Sequence, residues 1–114
     1  MPNPLPGIVE GPRLAREVPN VTVPQFIREH ARKRPDQVAL IDAASERKYT
    51  FGVLDHLMGR FAAGLKANGF KPGDTLLMFA PNLPEWPIAA FGAMLAGGVV
   101  SGADSSYGAG DLAR

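Results

Sequence analysis

The sequence lacks cysteine altogether and contains only two histidines, His30 and His56. Without cysteine the chain cannot form disulfides, cysteine-based zinc fingers, iron–sulfur clusters or a thiol nucleophile. Two histidines so far apart are too few to predict a metal-binding cage. An excess of one charge is also missing, because 12 Lys and Arg residues oppose 11 Asp and Glu residues. This balance argues against a nucleic-acid-binding protein, which normally carries a clear basic excess.

Long apolar runs are missing as well. The first twenty residues have no apolar stretch of the length that a signal peptide needs. They carry prolines that would break a helix: Pro2, Pro4, Pro6, Pro12 and Pro19. We therefore predict an extended proline-rich arm over residues 1–20. The longest uncharged stretch, 86–103, is interrupted by proline and glycine, which favours a buried helix and strand over a membrane span. The expected compartment is the cytoplasm.

What the sequence does contain is typical of one globular domain: 114 residues, 46% of them hydrophobic and 20% charged. Thr22 and Gln25 predict a capping box at the start of a first helix, with Val21 and Phe26 at the positions of a hydrophobic staple. Pro35 is expected to end this helix. Its basic residues are interpreted as a solvated face, in preference to a membrane or nucleic-acid patch: Arg28, Arg32, Lys33 and Arg34.

A β-hairpin and a second helix are predicted next. Residues 38–41 predict a buried strand and residues 48–50 its return. Thr50 is placed to cap the following helix, which ends at a left-handed stop formed by Asn68-Gly69. The apolar residues of this helix recur at three- and four-residue steps, and we interpret them as core: Phe51, Leu54, Leu57, Met58, Phe61 and Leu65.

The remainder predicts a parallel βαβ unit. The segment Lys71-Pro72-Gly73-Asp74 fits a type II turn, and strands are predicted over 75–80 and 99–102 with a helix between them. A parallel sheet normally has helices on both faces. Because only three helices are predicted in the chain, we expect one or both faces of this sheet to stay partly uncovered.

The third helix is predicted to start after Asn82. The Asn82 side chain is expected to cap it, with Glu85 reaching back to the Asn82 backbone N–H and complementing the helix dipole. Pro87 then falls where a backbone hydrogen bond is needed, so we expect a distorted first turn. Trp86 is interpreted as an anchor at the helix start rather than as a stacking platform.

No pattern in the sequence predicts a reaction centre. The Walker pattern, the dinucleotide-binding glycine pattern and the G-x-S-x-G elbow are absent. His30 and His56 are interpreted as partly exposed structural residues. Asp55 and Glu85 have no evident acid–base partner in the sequence. We therefore predict no catalytic, cofactor-binding or metal-binding residue within the chain.

The order of several short motifs nevertheless resembles the start of the adenylate-forming superfamily. These motifs are Arg34-Pro35-Asp36-x-Val38-Ala39-Leu40-Ile41, Tyr49-Thr50-Phe51, Gly69-Phe70-Lys71-Pro72-Gly73-Asp74, Pro81-Asn82-Leu83-Pro84-Glu85-Trp86 and Ala96-Gly97-Gly98-Val99-Val100-Ser101-Gly102-Ala103. Within the superfamily, residues 20–114 are similar to acyl-CoA synthetases and 4-coumarate–CoA ligases. The alternative is an amino-acid adenylation domain of a peptide synthetase. Such domains usually read Arg-Ser at Asn82-Leu83 and Val-Pro-Leu-Asp-Pro at residues 100–104, so the wording here favours the ligases.

The resemblance implies an α/β fold in which residues 21–114 form the incomplete N-terminal part of a large AMP-binding domain. It implies a parent enzyme that uses ATP and Mg²⁺ to convert a carboxylic acid to acyl-AMP, and then transfers the acyl group to coenzyme A. The family's phosphate loop, aromatic-Gly-x-Thr-Glu motif, ribose-binding Asp and C-terminal Lys all lie beyond Arg114 in family order. No catalytic residue is therefore carried over. The chain alone is expected to be inactive and to bind none of these cofactors.

Three positions depart from the family pattern. Val53 stands where Glu is usual, so the capping box after Thr50 is lost, at a cost of about 1 kcal/mol of helix stability. The segment Asp104-Ser105-Ser106-Tyr107 replaces Asn-Pro-x-Tyr, and we expect a looser turn without the proline. Gly108 stands where Thr is common.

Two hypotheses of different classes follow. In the first, the chain is the N-terminal portion of an acyl-CoA synthetase. In the second, it is a free-standing interaction module that kept this part of the fold without the enzyme. Coding DNA that continues in frame to a phosphate loop supports the first, and a stop codon after Arg114 supports the second. In either case, the open sheet edge at 99–102 and the uncovered apolar surface predict that the chain self-associates or is only marginally stable.

Overall fold

The computed structural model describes residues 6–114. Residues 1–5, which include Pro2 and Pro4 of the predicted arm, lie outside the described residues. Residues 6–20 carry no helix or strand, and each of them is exposed. The division of the chain at residue 20 stays a prediction.

Four helices and four strands follow in the described residues. In chain order they are α1 (Val23–Lys33), β1 (Val38–Ile41), β2 (Lys48–Thr50), α2 (Phe51–Ala67), β3 (Thr75–Phe79), α3 (Glu85–Leu95), β4 (Val99–Ala103) and α4 (Ala109–Leu112). Strands β1 and β2 pair antiparallel, and β3 and β4 pair parallel. The predicted α/β arrangement of a hairpin and a parallel βαβ unit is confirmed. The prediction of three helices is wrong, because the single turn α4 adds a fourth.

Helix α1 begins and ends at the predicted places. The Thr22 backbone N–H donates to Gln25 Oε1 at 3.1 Å, and the Gln25 N–H donates to Thr22 Oγ1 at 3.3 Å. These bonds form the predicted capping box and satisfy backbone donors that the helix leaves free. The helix ends at Lys33, two residues before Pro35, because the residue ahead of a proline disfavours a helical backbone.

Helix α2 also follows its local signals. Thr50 Oγ1 accepts the Val53 N–H at 3.2 Å. The Val53 side chain has no oxygen that could accept the Thr50 backbone N–H in turn. At the other end, Gly69 adopts a φ of 89°. The Phe70 N–H then donates to the Leu65 carbonyl oxygen at 3.0 Å. This is a Schellman motif, which uses the glycine to satisfy the last helical carbonyls.

The start of α3 differs from the prediction. The helix begins at Glu85, and Pro84 occupies the N-cap position without a side-chain hydrogen bond. The prediction that Asn82 caps the helix is wrong, because Pro84 already has helical angles (φ −58°, ψ −29°) and its ring fixes the first turn. Pro87 is the third residue of the helix, where a backbone N–H has no partner within the helix. The expected distortion is therefore also wrong, since no hydrogen bond is lost.

Tight turns bracket the parallel strands. In the turn before β3, the Asp74 N–H donates to the Lys71 carbonyl oxygen at 3.0 Å and Gly73 has a φ of 89°. This is the predicted type II turn. After α3, Gly97 adopts a φ of 85°, which lets the chain reverse direction into β4. β3 and β4 then pair in parallel along their full lengths.

The core lies where α2, α3 and the hairpin meet. Leu54, Met58 and Ile88 form a buried cluster, and the Met58 side chain is fully enclosed. Further hydrophobic residues pack around this cluster: Ile27, Ala39, Leu40, Tyr49, Phe51, Leu57 and Phe91. The apolar stripe of α2 is therefore core, as the sequence predicts.

Strand β1 is less buried than predicted. Val38 is 41% exposed and Ile41 is 61% exposed. Only Ala39 and Leu40 pack against the core, at an irregularity in the pairing of β1 with β2. The prediction of a buried strand is wrong, because this hairpin is two-stranded and only its middle contacts the helices.

The parallel pair β3–β4 is covered on one face. Side chains along a strand alternate between faces, and Met78 is buried whereas its neighbours Leu77 and Phe79 are 54% and 48% exposed. Val99, which pairs with the first residue of β3, is 54% exposed on the same side. The expectation of a partly uncovered parallel sheet is confirmed.

Helices α2 and α3 approach each other most closely at Gly92. A Cβ at this position would lie 2.8 Å from Phe61 Cδ1 and 3.1 Å from the Met58 carbonyl oxygen. Both distances are shorter than ordinary van der Waals contact, so only glycine fits without displacing α2. In contrast, a Cβ at Gly64 on α2 would have nothing within 4 Å.

We expect Gly92→Ala to lower the free energy of unfolding by about 1–2 kcal/mol. Overpacking costs roughly 1–3 kcal/mol, and alanine returns up to about 1 kcal/mol through helix propensity. The matched control Gly64→Ala should raise stability by up to about 1 kcal/mol, because it gains the propensity without a clash. Urea unfolding followed by circular dichroism measures both. A Gly92→Ala variant as stable as Gly64→Ala would contradict the close contact.

Candidate functional site

The carboxyl ends of β3 and β4 open into a depression of about 470 Å³. Ligands of open α/β sheets bind outside the carboxyl ends of the parallel strands, so this depression is the candidate functional site. Its lining comes from the segment after β3, the first turn of α3 and the end of β4: Ala80, Pro81, Asn82, Trp86, Gly102, Ala103, Asp104 and Ser105.

Asp104 is the charged group of this depression and is held in a hydrogen-bonded turn. Its Oδ1 accepts the Ser106 N–H at 2.9 Å and the Ser106 hydroxyl at 2.8 Å. The backbone bond first, and the hydroxyl bond second, lower the pKa of Asp104 below its ordinary value. The Tyr107 N–H closes the turn on the Asp104 carbonyl oxygen at 3.0 Å. Side-chain hydrogen bonds thus close a turn that lacks the family's proline.

Trp86 forms one wall of the depression. It lies in the first turn of α3, where it is half-buried. A Cβ at Gly102 on β4 would lie 3.9 Å from Trp86 Cζ2, so the indole approaches the backbone of β4. This contact ties the start of α3 to the neighbouring strand, in agreement with the interpretation of Trp86 as an anchor.

The lining of this depression does not fit the phosphates of ATP or coenzyme A. It includes the Asp104 carboxylate and no Lys or Arg, so a polyphosphate there would face a like charge without compensation. Within residues 6–114, no group of three or more acidic or histidine side chains is placed to hold a metal ion. Nor does any helix of this range have the length and apolar character to cross a membrane.

A second polar cluster joins the hairpin to the start of α3. Glu85 Oε1 accepts the Tyr49 hydroxyl at 2.8 Å and Arg47 Nη1 at 2.7 Å. The prediction that Glu85 reaches back to Asn82 is wrong, because these partners from β2 and the hairpin loop bind Oε1, and the buried Oε2 has no hydrogen-bond partner within residues 6–114. The Glu85 backbone N–H first, and the Tyr49 hydroxyl next, lower the pKa of Glu85. The same hydrogen bond to Glu85 raises the pKa of Tyr49.

The hairpin loop presents Arg47 to this cluster. Arg47 Nη2 also lies 3.3 Å from Asp42 Oδ2, and the Ser45 hydroxyl donates to Asp42. The Ser45 hydroxyl is the main cause of the lowered pKa of Asp42, followed by the Ala44 N–H. The arrangement is an ion-pair network that orients the loop, and its members come from segments far apart in the sequence.

The remaining candidate residues lie away from the depression. His30 packs against Phe26 in an edge-to-face contact with ring centroids 4.6 Å apart. Asp55 accepts Arg28 Nε at 2.6 Å, which links α2 to α1. The sequence analysis found no partner for Asp55, because this one is 27 positions away. His56 is exposed on α2.

Comparison with known proteins settles the family. Residues 27–114 match the family model described as AMP-binding enzyme. The chain belongs to this AMP-binding enzyme family. The resemblance to adenylate-forming enzymes is thereby confirmed.

Relatives within the AMP-binding family include named ligases. The chain is 36% identical over 90 residues to the probable 4-coumarate–CoA ligase 1 of Dictyostelium discoideum, covering 79% of this chain and 16% of that protein. It is 40% identical over 83 residues to the 4-coumarate–CoA ligase-like 9 of Oryza sativa subsp. japonica, covering 72% of this chain and 15% of that protein. It thus spans about a sixth of the length of these curated relatives.

Solved structures of the family share the fold. The N-terminal subdomain of Klebsiella oxytoca NpsA aligns with a TM-score of 0.74 at 28% identity, over 80% of this chain and 23% of that one. The N-terminal domain of FACL13 from Mycobacterium tuberculosis aligns with a TM-score of 0.74 at 24% identity, over 78% and 22%. The predicted type of fold, part of the N-terminal subdomain of an adenylate-forming enzyme, is confirmed.

We expect Glu85→Gln to destabilise the chain at pH 7 and to lose that effect in acid. Because folding lowers the pKa of Glu85 below its ordinary value of 4.5, its ionised form stabilises the fold above about that pH. This stabilisation is lost as the pH falls through the lower folded-state pKa. Urea unfolding at pH 7 and pH 3 measures the difference between the original chain and the variant.

The matched control is Glu29→Gln on α1, which is exposed and makes no ion pair within residues 6–114. The control should change stability little at either pH. An equal loss of stability by Glu85→Gln at pH 7 and pH 3 would show that the carboxylate charge plays no part.

Proposed function

We propose that this chain is the N-terminal part of an AMP-forming acyl-CoA ligase. The observation that carries the proposal is the family match over residues 27–114, which includes all of the helices and strands from β1 to α4. Two of the curated relatives are named for ligation of an acid to coenzyme A. In the parent enzyme, the substrate carboxylate attacks the α-phosphorus of ATP, pyrophosphate leaves, and the thiol of coenzyme A displaces AMP.

The chain contributes architecture rather than reactive groups to this reaction. Residues 21–114 supply part of the large domain, and residues 6–20, which carry no helix or strand, precede it. The depression at the ends of β3 and β4 carries one carboxylate and an indole, and neither is placed to bind a nucleotide phosphate. We assign no catalytic residue to the chain and place the parent enzyme in the cytoplasm.

The isolated chain should show no ATP–pyrophosphate exchange above background with acetate, a fatty acid or 4-coumarate as the acid. The reason is that no Lys or Arg lines the depression at the carboxyl ends of β3 and β4. An α-phosphate in this depression would therefore find no positive charge to stabilise it during the reaction. Radioactive exchange measures this, with a full-length ligase as the positive control. Robust turnover by the chain alone would refute its assignment as architecture.

A second candidate function is a free-standing interaction module, and the open face of β3–β4 favours it. This open face consists of Thr75, Leu77, Phe79, Val99, Ser101 and Ala103, and it carries no charged side chain. Unpaired strand edges and exposed apolar side chains together favour association with another polypeptide. A second copy of the chain can be this other polypeptide, since the net charge of +1 gives little repulsion between two copies.

We expect the chain to self-associate through the open face. Leu77→Lys should raise the dissociation constant at least about tenfold, because burial of a leucine contributes roughly 1.5–3 kcal/mol. Val53→Lys, a control at a 44% exposed site on α2, should leave the dissociation constant unchanged. Sedimentation velocity over a concentration series measures both. A monodisperse monomer with a sharp cooperative melt would contradict the prediction.

A further inference from the structure

A groove of about 390 Å³ runs between α1 and α2, away from the carboxyl ends of the strands. Its lining consists of small residues (Gly52, Gly59 and Ala63), nitrogen-containing side chains (Arg28, His56 and Arg60) and one carboxylate (Asp55). The sequence analysis treated the basic residues of α1 as a solvated face. The groove shows that one of them, Arg28, instead faces α2.

Arg28 is held in a fixed orientation. Its Nε donates to Asp55 Oδ1 at 2.6 Å, and both side chains are largely shielded from solvent, at 32% and 23% exposed. This bond uses one of the five N–H groups of the guanidinium. A Cβ at Gly59 would lie 3.9 Å from Arg28 Nη2, so the outer end of the guanidinium lies over the glycine. The ion pair therefore orients an arginine that retains free donors.

Arg60 and His56 supply further donors. They lie four residues apart on α2, which places them on one side of the helix, and both are exposed. Neither makes an ion pair or a side-chain hydrogen bond within residues 6–114. Two arginines thus line the groove, whereas Asp55 is its one carboxylate and is already paired.

We propose that this groove binds a phosphate group that carries two negative charges. The two arginines contribute two positive charges against the one negative charge of Asp55, so the groove attracts an anion. Arginine donors match phosphate oxygens in pairs. Gly59 brings no side chain into the groove, so the phosphate can approach the helix surface beside Arg28, whereas a Cβ at Gly52 would meet Pro35. The site does not depend on the ligase assignment, since the charges and the space that define it come from the side chains of α1 and α2 alone.

Titration of the chain with inorganic phosphate, at constant ionic strength maintained with chloride, tests the site. We expect saturable shifts of the Gly52, Gly59 and Ala63 amide signals in NMR spectra. Arg60→Gln should weaken binding about three- to fivefold, the upper part of the range for losing one exposed charge contact. Lys66→Gln removes the same charge from the last turn of α2, outside the groove, and should change the affinity less than twofold. Equal weakening by both variants overturns the proposal.

The shape of the groove is tested separately from its charge. Gly59→Leu fills the groove and should abolish the phosphate-dependent shifts at Gly52 and Ala63. The matched control Gly64→Leu places the same side chain on α2 at a position with nothing within 4 Å, and it should bind normally. Thermal melts confirm that each variant is folded. Phosphate binding by Gly59→Leu with the original affinity overturns the proposal, and Arg60→Gln decides it alone if Gly59→Leu fails to fold.

The source of the phosphate group is resolved by a vesicle assay. Phosphatidylcholine vesicles with and without phosphatidate are sedimented with the chain, in the presence and absence of free phosphate. Shifts with inorganic phosphate, without sedimentation, identify a soluble phosphate compound as the ligand. Phosphatidate-dependent sedimentation that Arg60→Gln abolishes and Lys66→Gln does not identifies a lipid headgroup. The absence of both signals overturns the proposal.

Discussion

The close contact between α2 and α3 is the constraint on which the rest of the structure depends. Gly92 packs against the Phe61 ring and the Met58 carbonyl, with no room for a side chain between the helices. Because β3 leads into α3 and β4 leaves it, the position of the parallel pair follows from this contact. At the far end of α3, Gly98 packs against the Phe70 ring and again has no space for a Cβ. Two glycines therefore determine how the βαβ unit sits on α2.

The sequence predicted those features of the fold whose causes act within a few residues. The Thr22 cap and the Gly69 stop are examples, since each depends on hydrogen bonds three to five residues long. The Asn82 cap failed for a local reason, because Pro84 has helical angles and occupies the N-cap position. The predicted bond from Glu85 to Asn82 failed for a distant one. The carboxylate of Glu85 is bound by the Tyr49 hydroxyl, 36 positions earlier, and a pattern of neighbouring residues contains no information about such a partner. The prediction that β1 is buried failed for the same reason, since burial depends on what packs against the hairpin.

The features of the candidate site divide in the same way, into those that depend on neighbouring residues and those that depend on distant ones. The prediction that the chain carries no reactive constellation came from its composition and motifs, and the βαβ pattern predicted parallel strands whose carboxyl ends meet. The meeting of Trp86 with Asp104 at one depression depends on where β4 ends, which the sequence placed one residue too early. Away from the depression, the ion pair of Arg28 and Asp55 likewise depends on the packing of α1 on α2. Family membership came from the order of motifs and not from their physics, because a Pro-Gly-Asp turn forms in the same way in any protein.

Activation of a carboxylic acid requires fixed positive charge around the reacting phosphate, held in a site that excludes water. The carboxyl ends of β3 and β4 provide neither, since Asp104 is the charged side chain there and the depression is open. The basic residues Arg28 and Arg60 lie on α1 and α2 instead. Parallel sheets are stable when helices cover both faces, yet Leu77 and Phe79 lie on an uncovered face. The face that lacks a covering layer and the depression that lacks a basic side chain are thus formed by the same two strands, β3 and β4.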